Sequence, residues 1–120
     1  MDSHLPVLES CVGPRDTTVL VAHCTLAGAA GDHALMLTRR RLVVTARSRL
    51  TRRLRLHLNF ELHQLSDVTW TPEPGLGGVA LAVTAIDGVR EHFWIETADA
   101  AAVDRILAEV FRAAVPVLAA

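Results

Sequence analysis

The sequence predicts an α+β domain, with about seven antiparallel strands closed by a C-terminal amphipathic helix and preceded by a short N-terminal helix. Three observations predict it. From Arg53 to His63 the chain alternates without an error: Leu54, Leu56, Leu58, Phe60 and Leu62 fall on one parity, and Arg53, Arg55, His57, Asn59, Glu61 and His63 on the other. Strand side chains change faces at every residue, so this stretch is expected to have one dry face and one wet face. Further short runs rich in Val, Leu and Thr are separated by turn residues. Finally, Val103, Ile106, Leu107, Val110, Phe111 and Ala114 repeat at helical spacing.

In chain order, Leu5 to Val12 reads as a short helix, with Pro6 in its first turn and Gly13-Pro14 after it. Thr17 to Leu26 is the first strand, with Leu20, Ala22, Cys24 and Leu26 on one parity. A loop through Gly28 and Gly31 follows. Leu35 to Thr38 and Leu42 to Ala46 form a hairpin around a tight arginine turn, and Arg47 to Arg52 connects to the long alternating strand. Ser66 to Thr71 is the next strand, with Val68 and Trp70 on one face. Pro72-Glu73-Pro74-Gly75-Leu76-Gly77-Gly78 breaks the pattern.

Val79 to Ala85 and Arg90 to Glu96 form the last pair of strands. A two-residue Asp87-Gly88 loop would set Leu81 opposite Trp94. A three-residue loop, Ile86-Asp87-Gly88 with Gly88 left-handed, sets Leu81 opposite Phe93 and Val79 opposite Ile95. The second register stacks four large apolar residues on one side and is preferred. Thr97 is the expected N-cap of the terminal helix, Asp99 lies in its first turn, and Pro116 stops it.

With 120 residues the chain is read as one domain over 1–120, with its core roughly over 17–114. No apolar run reaches the roughly 18 residues that cross a bilayer, and the start lacks the basic region of a signal peptide, so a cytoplasmic location is expected. Cys11 and Cys24 show no metal-binding spacing and are expected to be reduced; no cofactor or metal is expected. Neither a nucleophile elbow, a P-loop nor a dinucleotide fingerprint is present, so the chain is not expected to be an enzyme.

Charge is unevenly distributed. The net formal charge is −1, yet eight of the twelve basic residues, all arginines, lie between Arg39 and Arg55. From Leu35 to Leu58 no acidic residue offsets them. The net charge, and the single nearby aromatic (Phe60, on the dry parity), argue against a nucleic-acid platform.

Leu37-Thr38-Arg39-Arg40-Arg41-Leu42-Val43-Val44 resembles the Leu-Thr-x-x-Arg-Leu hairpin of bacterial pleckstrin-homology-like (PH-like) and GRAM-type domains. The later strand bearing Leu65-Ser66-Asp67-Val68, the Asp87-Gly88 hairpin and the final helix are similar to that family as well. The resemblance implies a PH-like barrel or two packed sheets, and a non-enzymatic scaffold that engages lipids, proteins or its own copies. Two departures are visible. The loop from Leu26 to Asp32 has no basic residue, where phosphoinositide-binding members carry several, and Phe111 stands in a helix that usually bears a tryptophan.

Two candidate sites follow. Arg39, Arg40 and Arg41 at one turn, and Arg47, Arg49, Arg52 and Arg53 at the next, form a rim suited to an anionic headgroup or membrane surface. Alternatively, the rim keeps sheet edges soluble. Trp94, directed away from Leu81 and Phe93, is the candidate protein or self-association interface, with Met36 and Val43 on the same exposed face. Engagement of a protein partner or a second copy is the first expectation, and peripheral docking to anionic lipid the alternative. His57, Asn59, Glu61 and His63 are expected to be solvated residues on one wet face.

Overall fold

The computed structural model describes residues 3–114. A short helix, α1 (Leu5–Ser10), precedes seven strands: β1 (Thr18–Leu26), β2 (Asp32–Thr38), β3 (Arg41–Arg47), β4 (Leu54–Glu61), β5 (Ser66–Glu73), β6 (Gly78–Thr84) and β7 (Arg90–Glu96). The helix α2 (Ala100–Ala114) ends the described chain. All pairings are antiparallel in one sheet of order β4-β3-β2-β1-β7-β6-β5. Together with the terminal helix this arrangement fits a PH-like α+β fold. The sheet is continuous but not closed, because its edges β4 and β5 are not paired with each other.

Its concave side carries the main core, in which Leu35, Leu37, Leu42, Val44, Leu81, Phe93 and Ile95 pack against Val103, Leu107, Val110 and Phe111 of α2. Full burial of each large apolar side chain contributes about 1.5–3 kcal/mol. Trp70 ties the helix down, donating from Nε1 to Asp104 Oδ1 at 2.7 Å, with its ring 6.0 Å from that of Phe111. Pro72 is accommodated in β5 because an edge strand tolerates the loss of a donor.

On the convex side α1 places Leu8 over Ala34, Met36 and Val43. Met36 and Val43 are therefore buried, and the expectation that they share an exposed face with Trp94 is corrected: the N-terminal helix covers them. His4 anchors this helix, with Nδ1 2.7 Å from Thr45 Oγ1 and Nε2 2.9 Å from Asp32 Oδ2. This Thr–His–Asp row has the order of a hydrolytic triad, but Thr45 is fully buried and out of a substrate's reach.

The last hairpin adopts the three-residue loop. Leu81 pairs with Phe93 and Val79 with Ile95, and Gly88 takes φ +85°. Two expectations are corrected. The N-cap of α2 is Asp99, whose Oδ1 accepts from Ala102 N at 3.0 Å; Thr97, two residues earlier, instead accepts from Asp99 N. The alternation of β4 also breaks. Its register against β3 shifts between Val44, which pairs with Leu58, and Thr45, which pairs with Leu56, leaving His57 as an extra residue. A bulge of this kind exchanges the two faces. Leu58 and Phe60 stay with the main core, whereas Leu56 moves to the Thr45 side and is 46 % exposed. Pro116 lies outside the described residues.

Candidate functional site

Registers decide which loops meet. Leu26 pairs with Phe93, Asp32 with Arg47, and Thr84 with Arg90. Loops 27–31, 48–53 and 85–89 therefore gather at one end of the sheet, away from the turn at Arg39 and Arg40.

Loop 48–53 is internally braced. Ser48 N donates to the Arg53 carbonyl and Arg52 N to the Ser48 carbonyl, at 3.1 and 3.0 Å. Ser48 Oγ accepts from Leu50 N and Thr51 N, and Thr51 Oγ1 from Arg53 N. Arg52 holds φ +55°, a left-handed conformation that a non-glycine residue adopts at a cost of about 1–2 kcal/mol. This bracing presents Leu50 at the tip, 95 % exposed. Ile86 and Val89, in the β6–β7 turn at the same end, are also exposed.

The seven arginines of the expected rim fall into two groups, separated by the length of β3, roughly 20 Å for seven residues. At the α2 end, Arg39 pairs with Glu109 at 3.2 Å, and Arg41 reaches Asn59 and Glu61 at 3.1 and 3.4 Å. Arg40 is exposed beside them. At the loop end, Arg47, Arg49, Arg52 and Arg53 make no ion pair with a carboxylate among the described residues; Arg47 donates to Ser3 Oγ at 3.2 Å. Arg55, on the strand that follows, is likewise exposed and unpaired there.

Beneath loop 48–53 lies a cavity of about 560 Å³, lined by Ala29, Ala30, His33, Ala46, Leu50 and the arginines 47, 49, 53 and 55, among others. His33 is 2 % exposed, and its Nδ1 has no hydrogen-bond partner among the described residues. The His57 ring stands edge-on to it, with centroids 6.1 Å apart, and His57 Nε2 lies 2.6 Å from Glu91 Oε1 of β7. The placement of His57 among solvated wet-face residues is thus corrected: the β4 bulge turns it inward. Asn59 and Glu61 remain on the other face as partners of Arg41, and His63 is exposed 3.2 Å from Glu61.

Burial, the facing His57 and Arg55 lower the pKa of His33, partly offset by the Gly31 backbone and Asp32. Asp32 is lowered chiefly by its hydrogen bond with His4. Burial, Asp32 and Glu96 push the Cys24 thiol up to about 12, so it stays neutral and unreactive. Cys11 and Cys24 are both free. Among the described residues, no group of three or more His, Cys, Asp or Glu is placed to hold a metal ion, and no helix is long and apolar enough to cross a membrane.

Trp94 lies on the other face of the sheet, paired with Thr25 of β1 and Ala80 of β6. It is half-buried across Gly78, where an added Cβ would come 2.4 Å from Trp94 Cζ2. Its remaining surface borders a shallow depression with Leu76, Gly77 and Glu96.

The sequence pattern does not single out His33, which precedes the expected strand Leu35 to Thr38 but lies in β2, nor the exposed Leu50, Ile86 and Val89. A signal for these three was available: large apolar residues in turns, where burial is not possible, next to arginines.

No family model matches this chain, and no curated protein matches it. It is similar to two solved structures of Vav1. One is an apo structure of the activated truncation of Vav1, at 11% identity and a TM-score of 0.48, covering 95% of this chain and 33% of that one. The other is Vav1 with an allosteric inhibitor that blocks its GEF activity, at 12% identity and a TM-score of 0.44, covering 83% and 25%. The chain thus spans a quarter to a third of the length of these Vav1 chains.

Proposed function

We propose that this chain is a non-enzymatic binding module of PH-like, GRAM-type character that docks on anionic membrane surfaces from the cytoplasm through its loop end. The observation that carries the reading is the joint placement of Arg47, Arg49, Arg52 and Arg53, free of carboxylate partners among the described residues, around Leu50, which is 95 % exposed. Each basic residue near an anionic leaflet contributes about 1 kcal/mol. Leu50, with Ile86 and Val89 beside it at the same end, supplies apolar surface for the headgroup–acyl boundary. Arginine headgroup contacts without the apolar tips would be weak at physiological salt; the two together suit reversible, peripheral association.

Co-sedimentation with phosphatidylglycerol and phosphatidylcholine vesicles across a salt series tests this. Binding is expected to anionic vesicles only, to weaken as salt rises, and to fall at least tenfold in R49A/R53A and severalfold in L50S, while R39A/R40A binds as the parent does. Absence of binding to anionic vesicles at low salt overturns the reading.

A second reading is engagement of a protein partner or a second copy through Trp94, favoured by the half-exposed indole beside Leu76, itself 72 % exposed. Concentration-dependent self-association lost in W94A would support it. Sedimentation as a monomer at high concentration would count against the second copy.

A further inference from the structure

Loop 48–53 and the depression at Trp94 are unlike in shape and opposite in charge. The loop is a braced knob: Leu50 stands at its tip, 95 % exposed, with Arg49, Arg52 and Arg53 exposed around it. The depression, of about 530 Å³, is lined by Leu76, Trp94, Glu96 and Thr97, among others. Gly78 pairs with Glu73 of β5 and with Glu96 of β7, so both carboxylates rise from the face on which the Trp94 indole lies over Gly78. Neither Glu73 nor Glu96 makes an ion pair among the described residues. The turn that walls the depression is fixed, because Gly77 N donates to the Pro74 carbonyl at 3.2 Å and Thr97 N to the Gly77 carbonyl at 3.1 Å. An apolar tip among arginines therefore complements an indole between carboxylates.

We propose that this depression receives loop 48–53 of a second copy of the chain, in a head-to-tail contact. Leu50 of one copy packs against Trp94 and Leu76 of the next, while Arg49 and Arg52 meet Glu73 and Glu96 and the face of the indole. The contact cannot close within one molecule. Loops 48–53 and 85–89 share one end of the sheet, whereas turn 74–77 lies at the other end of the β6–β7 pair, roughly 20 Å away along the seven residues of β7. Nor does it form between like surfaces, since two depressions would set carboxylates against carboxylates and two loops arginines against arginines. Because the two surfaces differ, each added copy leaves one loop and one depression open, and the contact propagates into chains or closes a ring. Both surfaces are held by their own hydrogen bonds before they meet, which limits the ordering that association costs. The net charge of −1 leaves little overall repulsion to oppose assembly. This rests on the second reading above and names the surface of the second copy that Trp94 meets. A loop seated in a neighbour is withheld from a membrane, so assembly and membrane docking exclude each other on any one copy.

The test is analytical ultracentrifugation of the full chain across a concentration series at low and high salt, beside the variants L50E and W94A. The parent is expected to form species larger than a dimer as its concentration rises, and to shift back towards monomer as salt screens the arginine–carboxylate pairs. Each variant alone is expected to associate about tenfold more weakly or less, as loss of a central contact residue does. An equal mixture of the two is expected to form a dimer and nothing larger, because it holds one intact depression, on L50E, and one intact loop, on W94A. Where W94A folds poorly, E73Q/E96Q takes its place; the parent series needs no variant at all.

Association of L50E as strong as that of the parent, with W94A monomeric, shows that Trp94 meets some other surface of the second copy; the head-to-tail contact then falls and the second reading stands. Parent-like association of both variants removes Trp94 as well, and both fall. A mixture of L50E and W94A that stays monomeric overturns the head-to-tail contact even where each variant alone has lost association. A parent chain that remains monomeric at high concentration and low salt overturns the contact together with the second-copy reading, and leaves membrane docking to be decided by the vesicle experiment.

Discussion

His57 Nε2 and Glu91 Oε1 lie 2.6 Å apart, joining two strands that are not neighbours in the sheet. Three strands, β3, β2 and β1, separate β4 from β7 in the sheet order. The contact is made across the concave mouth and holds the curl of an unclosed sheet. Both side chains are about one-fifth exposed, so the bond is shielded without being dry.

H57Q and E91Q are each expected to lose about 1–2 kcal/mol in urea denaturation, as charge-assisted bonds of this kind do. A double-mutant cycle should give a coupling of similar size. Additive single losses would show that the two side chains act independently.

Thr38 organises the arginine turn. Its hydroxyl accepts from Arg41 N at 2.8 Å and Arg40 N at 3.1 Å, and donates to Asp16 Oδ2 at 2.5 Å, all while fully buried. T38V keeps the shape and removes the hydroxyl, leaving two amides and a carboxylate without it. A loss of about 2–3 kcal/mol is expected from thermal or urea unfolding, with T38S recovering most of it.

Capping separates Asp99 from Thr97. D99A should cost about 1 kcal/mol, because Oδ1 satisfies an amide of the first helical turn. T97A should cost less, since its bond lies before the helix. Equal losses in urea midpoints would contradict this assignment.

Gly78 admits no side chain. An added Cβ would meet Trp94 Cζ2 at 2.4 Å and the Ile95 carbonyl at 2.5 Å. G78A is expected to lose about 1–3 kcal/mol and to shift the tryptophan emission to the red as the indole is displaced into solvent. Unchanged emission would show that the indole does not depend on Gly78.

Acidification should weaken the fold in two stages. The pKa of His33 is lower folded than unfolded, so the unfolded chain takes up that proton first, and stability falls as the pH drops below about 6.5. Asp32 is lowered in the folded state by His4, so its contribution is present above the unfolded carboxylate pKa and is lost as the pH falls through and below about 4. Urea midpoints against pH should therefore flatten in the upper range in H33Q and in the lower range in D32N. A parent-like profile in either variant would remove that residue as the cause.

Much of this protein was legible from local pattern. The β6–β7 register followed from requiring Leu81, Phe93, Val79 and Ile95 to share a face, because a one-residue slip would expose all of one strand's apolar set. The stripe from Val103 to Phe111 was equally plain, since helical spacing leaves one face to bury. These features rest on interactions between near neighbours and on side-chain periodicity, which sequence carries directly. Tertiary structure decided what depends on distant pairing. The bulge that turns His57 inward exists only against β3, and α1 buries Met36 and Val43 only by packing across the sheet. The arginines were visible as a run of charge, but their division between two ends of β3, and the gathering of Leu50, Ile86 and His33 at one of them, came from strand register, which no local pattern encodes.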